Sequence, residues 1–192
     1  HDALSGLPNR KSFYLRLEDS IVQSQGQAGK KRRPVAQKWA LLFLDVDRFK
    51  FVNDTLGHDL GDLLLREIAA RLQQSVRKSD YIFRLGGDEF TIILNAMHDV
   101  TDIAKVAQKI REEIAAPCVI QGHEIYVTAS LGIAERRVDH VLHWSELIDL
   151  ADRRMYQSKV GGRNRAVLGE DDVMADLIAR PNAASRAALN WA

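Results

Sequence analysis

Residues 81–94 read YIFRLGGDEFTIIL, two apolar runs separated by a short polar turn. The runs, Tyr81–Leu85 and Phe90–Leu94, are rich in β-branched and aromatic side chains, which favours strands. Glycine supplies the positive φ that a tight turn needs, so Gly86-Gly87 predicts a hairpin with the acids Asp88-Glu89 at its tip. An antiparallel hairpin is therefore the first predicted element of the fold.

Outside this hairpin, hydrophobic periodicity predicts helices alternating with strands. Apolar residues recur at helical spacing in four segments: Phe13–Ile21, Leu64–Val76, Ile103–Ile114 and Trp144–Met155. Strands are predicted at Ala40–Val46, at Arg165–Leu168 as an edge strand, and in a second hairpin around Gly122 that joins Cys118–Ile120 to Tyr126–Ala134. This order predicts an α/β (α+β) sandwich with a mixed, largely antiparallel central sheet flanked by helices.

Length and composition limit the classes of function. The 192 residues carry a net charge of +1, which provides no global field to select nucleic acid or a membrane surface. The longest apolar run, Trp39–Leu44, is much shorter than a membrane span. A single cysteine, Cys118, excludes an intrachain disulfide and fits a reducing compartment. We therefore expect a cytoplasmic domain, or the cytoplasmic part of a larger membrane-attached protein.

Two segments stand apart from this pattern. The stretch Ser24–Lys38 is polar and basic, and we interpret it as an exposed connection. After Glu170 the periodicity weakens, which predicts one domain over residues 1–168 and a tail or linker over 169–192. Because the chain begins with His1 and not methionine, we expect it to be a fragment of a longer protein.

Acidic residues occur where predicted strands end. Asp45 and Asp47 close one apolar run, and Asp88 and Glu89 occupy the hairpin tip. Carboxylates that converge in this way can bind a hard cation such as Mg²⁺, which prefers oxygen ligands and shares its coordination with substrate phosphates. The glycine pair beside them allows a phosphate to approach the backbone. The pattern predicts a metal-assisted phosphoryl- or nucleotidyl-transfer site.

Several ordered motifs resemble those of the GGDEF family, the bacterial diguanylate cyclases. The matching segments are GGDEF at 86–90, DALSGLPNR at 2–10, DVDRFKFVND at 45–54, GHDLGD at 57–62, ADRRMYQSK at 151–159 and GRN at 162–164. The segment at 45–54 is similar to the family's metal and phosphate strand. The resemblance spans roughly His1 to Leu168 and implies a nucleotide-cyclase or polymerase-palm-like version of the predicted sheet.

The resemblance implies that the protein condenses two GTP molecules into cyclic di-GMP with release of pyrophosphate. It implies two Mg²⁺ (or Mn²⁺) ions per half-site, bound by Asp45, the Val46 carbonyl, Asp88 and Glu89. Such ions neutralise a triphosphate and stabilise in-line attack on the α-phosphate. Asp88 or Glu89 would also be catalytic, accepting the proton of the attacking 3′-hydroxyl or ordering the metal-bound ligand that accepts it.

The resemblance also implies a set of substrate-binding positions. They are Phe49, Lys50, Asn53, His58, Asp62, Gly86, Gly87, Lys159 and Arg163. Lys50, Lys159 and Arg163 match phosphate-contacting cations, which would balance charge on the leaving pyrophosphate. Asn53 and Asp62 match a guanine-reading pair. A carboxylate accepts from guanine N1–H and the exocyclic amine, and adenine offers neither donor, so we expect GTP to be preferred.

Regulation and partners follow from the same resemblance. Arg77 and Asp80 match an inhibitory site that binds the product, cyclic di-GMP, away from catalysis. Each domain would hold one GTP, so turnover needs a homodimer with two facing sites. We expect an upstream sensory domain to control that pairing.

Two alternatives to an active cyclase are open at this stage. One is a catalytically silent GTP-binding regulatory domain of a larger signalling protein, although none of the matched positions is degenerate. The other is a structural or plain nucleotide-binding α/β domain, against which the clustered acids and cations argue.

Overall fold

Five helices and seven strands lie in the part of the chain that the computed structural model describes, residues 1–26, 38–136 and 143–169. The helices are α1 Arg10–Gly26, α2 Phe49–Leu56, α3 His58–Ser75, α4 Val100–Ala115 and α5 Trp144–Val160. The strands are β1 Lys38–Val46, β2 Tyr81–Gly86, β3 Glu89–Met97, β4 Cys118–Ile120, β5 His123–Ile125, β6 Ala129–Arg136 and β7 Ala166–Val167.

Five of the strands form one sheet in the order β2-β3-β1-β6-β7. The first three pairings are antiparallel, and β7 joins the edge parallel to β6. The remaining strands, β4 and β5, form a separate antiparallel pair. The prediction of a mixed, largely antiparallel sheet flanked by helices is confirmed.

The sheet separates two apolar cores because successive side chains of a strand point to opposite faces. Leu42 and Leu44 of β1 belong to the core covered by α2, α3 and α4. Leu41 and Phe43 belong to the core covered by α1 and α5. The same alternation directs Asp45, near the end of β1, to the α1 and α5 side.

Helix α5 approaches the sheet closely because Gly132 of β6 has no side chain. A Cβ built at this glycine would lie 2.0 Å from the Ala151 carbonyl oxygen and 2.1 Å from the Met155 amide nitrogen. Backbone therefore packs directly on backbone at this point. The close approach fixes where the C-terminal end of α5 lies relative to β1.

The predicted helices, the strand at Ala40–Val46 and the 81–94 hairpin are all confirmed, with small shifts at their ends. The second hairpin is only partly correct. Cys118–Ile120 pairs with His123–Ile125, and the chain then starts β6 at Ala129, which pairs with β1 and not with β4. The pairing of β6 with β1 depends on the register between these two distant strands. The local apolar pattern of residues 126–134 carries no information about that register.

Two further expectations change. Residues 49–54 of the motif taken for a metal and phosphate strand lie in helix α2, and the strand ends at Val46. Helix α1 reaches Gly26, so Ser24–Gly26 is helical, while 27–37 and the tail from 170 lie outside the described residues. The domain boundary near Leu168 stays a prediction. None of the described helices combines the length and apolar character needed to cross a bilayer.

Candidate active site

The predicted metal-binding acids meet at one end of the sheet. Asp45 of β1 lies opposite Glu89 of β3 in the antiparallel register, so the two side chains share a face. The Val46 amide donates a hydrogen bond to the Asp88 carbonyl at 3.3 Å. The structure thus brings together two pairs of adjacent residues, 45–46 and 88–89, that are far from each other in the sequence.

Asp45 is a buried carboxylate paired with a cation. It is 8% exposed, and burial is the largest influence on its pKa, which rises to about 6. The Lys159 ammonium lies 2.7 Å from Oδ2 and opposes that rise, whereas the nearby charges of Asp88 and Asp47 add to it. Lys159 is in the last turn of α5, which the close packing at Gly132 brings to this strand end.

The donor chemistry at this end fits a divalent cation shared with a nucleotide. Within residues 1–26, 38–136 and 143–169, no three His, Cys, Asp or Glu side chains are grouped so as to hold a metal by themselves. Mg²⁺, however, is usually bound through one or two carboxylates plus substrate phosphates. Asp45, with an ammonium already on its oxygen, is placed to hold positive charge. The assignment of Val46, Asp88 and Glu89 as further ligands stays a prediction.

The glycine turn between β2 and β3 is open on its outer side. Gly86 and Gly87 have φ values of 144° and 52°, and a Cβ on either would meet nothing within 4 Å. Arg84 supports the turn from behind, donating from Nε and Nη2 to the Gly87 carbonyl at 3.1 and 2.7 Å. Its Nη1 also binds Asp2 Oδ1 at 2.8 Å. The sequence reasoning missed Arg84, although a lone arginine in an apolar strand was a detectable signal.

Helix α2 begins directly beyond the acidic strand end. Arg48, with φ of 59°, turns the chain out of β1 and caps the helix. Phe49 is buried beneath the helix, and Lys50 is exposed in its first turn. The N–H groups of a first helical turn point away from the helix and favour anions. This position suits phosphate groups next to the acids.

The predicted guanine-reading residues lie together where α2 meets α3. A Cβ at Gly61 would fall 1.8 Å from Asn53 Oδ1, so only glycine leaves room for that side chain. Asn53 Oδ1 is buried and finds no hydrogen-bond partner among the described residues. Asp62, the next residue after the glycine, is exposed, as is His58 at the start of α3. The Asn53 oxygen therefore lies buried and unpaired between the two helices.

Two arginines lie near this end of the sheet. Arg163 is exposed in the loop after α5 and has φ of 62°. Arg10, which the sequence reasoning did not single out, places Nη2 3.8 Å from Glu89 Oε2 and donates from Nε to the Leu85 carbonyl at 3.2 Å. Arg10 therefore links α1 to the hairpin carrying the acids.

The predicted inhibitory pair lies at the other end of β2. The Asp80 carboxylate accepts from the Arg77 amide at 3.0 Å and from the Asn95 amide at 2.9 Å. Five residues of extended chain separate Asp80 from the glycine turn, about 17–20 Å at the usual rise per residue. The structure therefore does not bring Arg77 and Asp80 to the acidic cluster, and their regulatory role stays a prediction.

Comparison with known proteins bears on these features. Residues 1–165 match the family described as diguanylate cyclase, GGDEF domain. The bifunctional diguanylate cyclase/cyclic di-GMP phosphodiesterase MucR of Pseudomonas aeruginosa is 42% identical over 176 residues, which cover 92% of this chain and 24% of MucR. TpbB, a diguanylate cyclase of the same organism, is 36% identical over 88% of this chain and 37% of its own length. The chain therefore spans well under half the length of these relatives.

Solved structures agree with the sequence comparison. The isolated GGDEF domain of TpbB (YfiN) from Pseudomonas aeruginosa is 34% identical, with a TM-score of 0.80 over 90% of this chain and 95% of that domain. The coiled coil and GGDEF domain of DgcB from Caulobacter crescentus, solved in complex with c-di-GMP, is 28% identical, with a TM-score of 0.76 over 88% of this chain and 84% of that one.

Proposed function

The chain belongs to the diguanylate cyclase, GGDEF domain family, and from this we propose that it joins two GTP molecules into cyclic di-GMP. The observation that carries the proposal is the pairing of Asp45 with Lys159 at 2.7 Å beside the open glycine turn. A buried acid, a cation beside it and an unobstructed backbone turn are what a triphosphate bound with a divalent cation requires.

The proposed reaction repeats one bond exchange twice. The 3′-oxygen of one GTP forms a bond to the α-phosphorus of the other, and the bond from that phosphorus to the β-phosphate oxygen breaks. Pyrophosphate leaves with the bonding electrons, and the hydroxyl proton goes to Asp88 or Glu89, or to a group that they order. Bound Mg²⁺ (or Mn²⁺) would supply neutralisation of the triphosphate. Lys50, Lys159 and Arg163 would balance the charge that develops on the leaving group.

Recognition of guanine is proposed for Asn53 and Asp62. The buried, unpartnered oxygen of Asn53 supports this role, because a buried polar atom without a partner costs free energy that a ligand can recover. The exposed Asp62 carboxylate would accept from N1–H and the exocyclic amine of guanine. ATP would leave these acceptors unsatisfied and is expected to react poorly.

Turnover is proposed to need two copies of the domain. One site with one GTP can make only half of the product's bonds, so two sites must face each other about a two-fold axis. An upstream sensory domain would regulate activity by raising the effective concentration of the second copy. Product binding at Arg77 and Asp80 is proposed to inhibit the enzyme.

A turnover assay with purified protein tests the proposal. GTP and Mg²⁺ are supplied, and cyclic di-GMP and pyrophosphate are measured as protein concentration is varied. We expect rates that rise faster than linearly with protein concentration and that fall at least about 100-fold in Asp45→Asn. The matched control is Glu113→Gln, which neutralises an acid on α4 outside the site. GTP binding without any product would instead assign the silent regulatory role.

A further inference from the structure

We propose that Asp47 is a positioning residue, which fixes the loop carrying Arg163 against the end of β1, and that it is not a metal ligand. The inference deepens the proposed function and rests on it for the role of Arg163. The sequence placed Asp47 with Asp45 among the strand-end acids, and the structure separates the two residues.

The Asp47 side chain is buried and fully engaged with protein donors. It is 4% exposed, and its Oδ1 accepts from the Ser130 hydroxyl at 2.6 Å. Its Oδ2 accepts from the Thr128 hydroxyl at 2.6 Å and from the Asn164 amide at 3.0 Å. Its own amide donates to the Thr128 carbonyl at 2.8 Å. Both carboxylate oxygens therefore already accept hydrogen bonds from the protein, and the side chain is shielded from solvent, which disfavours a metal ion on this carboxylate.

The hydrogen bond to Asn164 crosses from β1 to the loop that follows α5. Arg163 and Asn164 have φ values of 62° and 47°, so two consecutive non-glycine residues adopt the left-handed conformation. Such residues persist only where surrounding contacts hold them. The Arg163 amide donates to the Ser158 carbonyl at 3.0 Å, and the Asn164 amide donates to Asp47. These two bonds attach the loop to α5 on one side and to β1 on the other.

Asp47 connects two parts of the site, the end of β1 and the loop that follows α5. Asp47 lies two residues after Asp45, the predicted metal ligand, and binds the residue after Arg163, the predicted phosphate cation. Movement of the loop relative to β1 is therefore restricted by this buried carboxylate, together with the Arg165 carbonyl, which accepts from the Leu131 amide at 2.9 Å. Asp47 should influence nucleotide binding through Arg163 and not through direct contact with substrate.

A double-mutant cycle separates this role from simple structural support. The variants are Asp47→Asn, Arg163→Ala and the combination. Asn keeps the size of the side chain but removes its charge, so the bond from the Asn164 amide is no longer charge-assisted, and one hydroxyl must reverse its hydrogen bond to accept from the new amide. The readout is the affinity for α,β-methylene GTP with Mg²⁺, measured by calorimetry, because this analogue binds without undergoing transfer.

We expect Asp47→Asn to weaken analogue binding about tenfold in the native background and less than about twofold in the Arg163→Ala background. Equal losses in both backgrounds would show general structural support and overturn the proposal. Mn²⁺ binding in the absence of nucleotide is measured by electron paramagnetic resonance. If Asp47→Asn abolishes this binding, Asp47 is a metal ligand and the proposal is overturned. No loss in either background would do the same.

Two further variants keep the test decisive. If Asp47→Asn does not fold, Thr128→Val is used in its place, because this substitution removes the hydroxyl that shares Asp47 Oδ2 with the Asn164 amide. Its effect on analogue affinity is also expected to be smaller in the Arg163→Ala background. Ser75→Ala is the stability control, since it removes a buried hydroxyl bond to the Arg71 carbonyl remote from the site and should leave analogue affinity unchanged. The cycle needs no turnover, so a protein that binds the analogue but makes no cyclic di-GMP would refute the proposed function alone.

Discussion

Replacing Gly132 with alanine should separate Lys159 from Asp45 by moving helix α5. The added Cβ would lie 2.0 Å from the Ala151 carbonyl oxygen and 2.1 Å from the Met155 amide nitrogen, both backbone atoms that no rotamer change can clear. The helix must therefore withdraw by about 1 Å, the difference between 2.0 Å and the 3.0 Å limit for real Cβ contacts. Overpacking of this kind costs about 1–3 kcal/mol of stability.

The same displacement acts on the candidate site one helical turn further along. Lys159 follows Met155 by four residues, so its 2.7 Å contact with Asp45 should lengthen beyond hydrogen-bonding distance. A misplacement of about 1 Å can lower a rate about 100-fold, and we expect a loss of that order in cyclic di-GMP formation.

The measurement pairs urea unfolding with GTP turnover. The control is Gly122→Ala, at a hairpin tip where φ is +83° and a Cβ meets nothing within 4 Å. It should cost about 1–2 kcal/mol through backbone strain alone and leave turnover intact. If Gly132→Ala keeps the native rate, or if both variants lose activity in proportion to their lost stability, then α5 does not position Lys159 as described.

Four further outcomes follow from the surroundings of single residues. Burial raises the pKa of Asp45 to about 6, so Mn²⁺ binding without nucleotide should weaken as pH falls through 6. Electron paramagnetic resonance measures this binding, and affinity that does not change between pH 5 and pH 7.5 would contradict the prediction. Because that pKa lies above 3.8, the ordinary value of an aspartate, the free energy of unfolding of the native protein, relative to Asp45→Asn, should decrease from pH 4 to pH 6 and level off above it. Arg77→Ala should relieve inhibition by cyclic di-GMP, and unchanged inhibition would refute the product site; the arginine is preferred because Asp80 also holds the turn before β2. Arg71→Ala should lower stability by about 1–3 kcal/mol in urea, since the guanidinium binds four carbonyls at the end of α4, and a loss below 0.5 kcal/mol would show that these bonds contribute little.

Local sequence patterns were sufficient for most elements of the fold. The apolar run before Asp45 and the glycine pair at 86–87 predicted a strand and a hairpin, because strand propensity and turn geometry are properties of short segments. The error at Tyr126–Ala134 had the same origin. The apolar character of this segment was recognised, but its partner, β1, is about 90 residues away, and the pairing register is decided by packing across the sheet.

The sequence identified which residues belong to the candidate site, but it did not predict which of their side chains contact one another. The sequence named Asp45 and Lys159 through motifs, whereas their 2.7 Å contact depends on Gly132, whose role no local pattern predicts. Arg84 was missed because its role depends on Asp2, 82 residues away in the sequence, as well as on the nearby Gly87 carbonyl.

The sequence by itself therefore determined the hairpin, the apolar strand and the chemical types available at their ends, since each depends on neighbouring residues. Only the tertiary structure decided that Asp45 faces Glu89 and Lys159 while Asp47 turns to Thr128, Ser130 and the Asn164 amide. The two acids are separated by one residue and have the same side chain. Their different surroundings come from long-range packing, whose free energy is summed over contacts that no single segment contains.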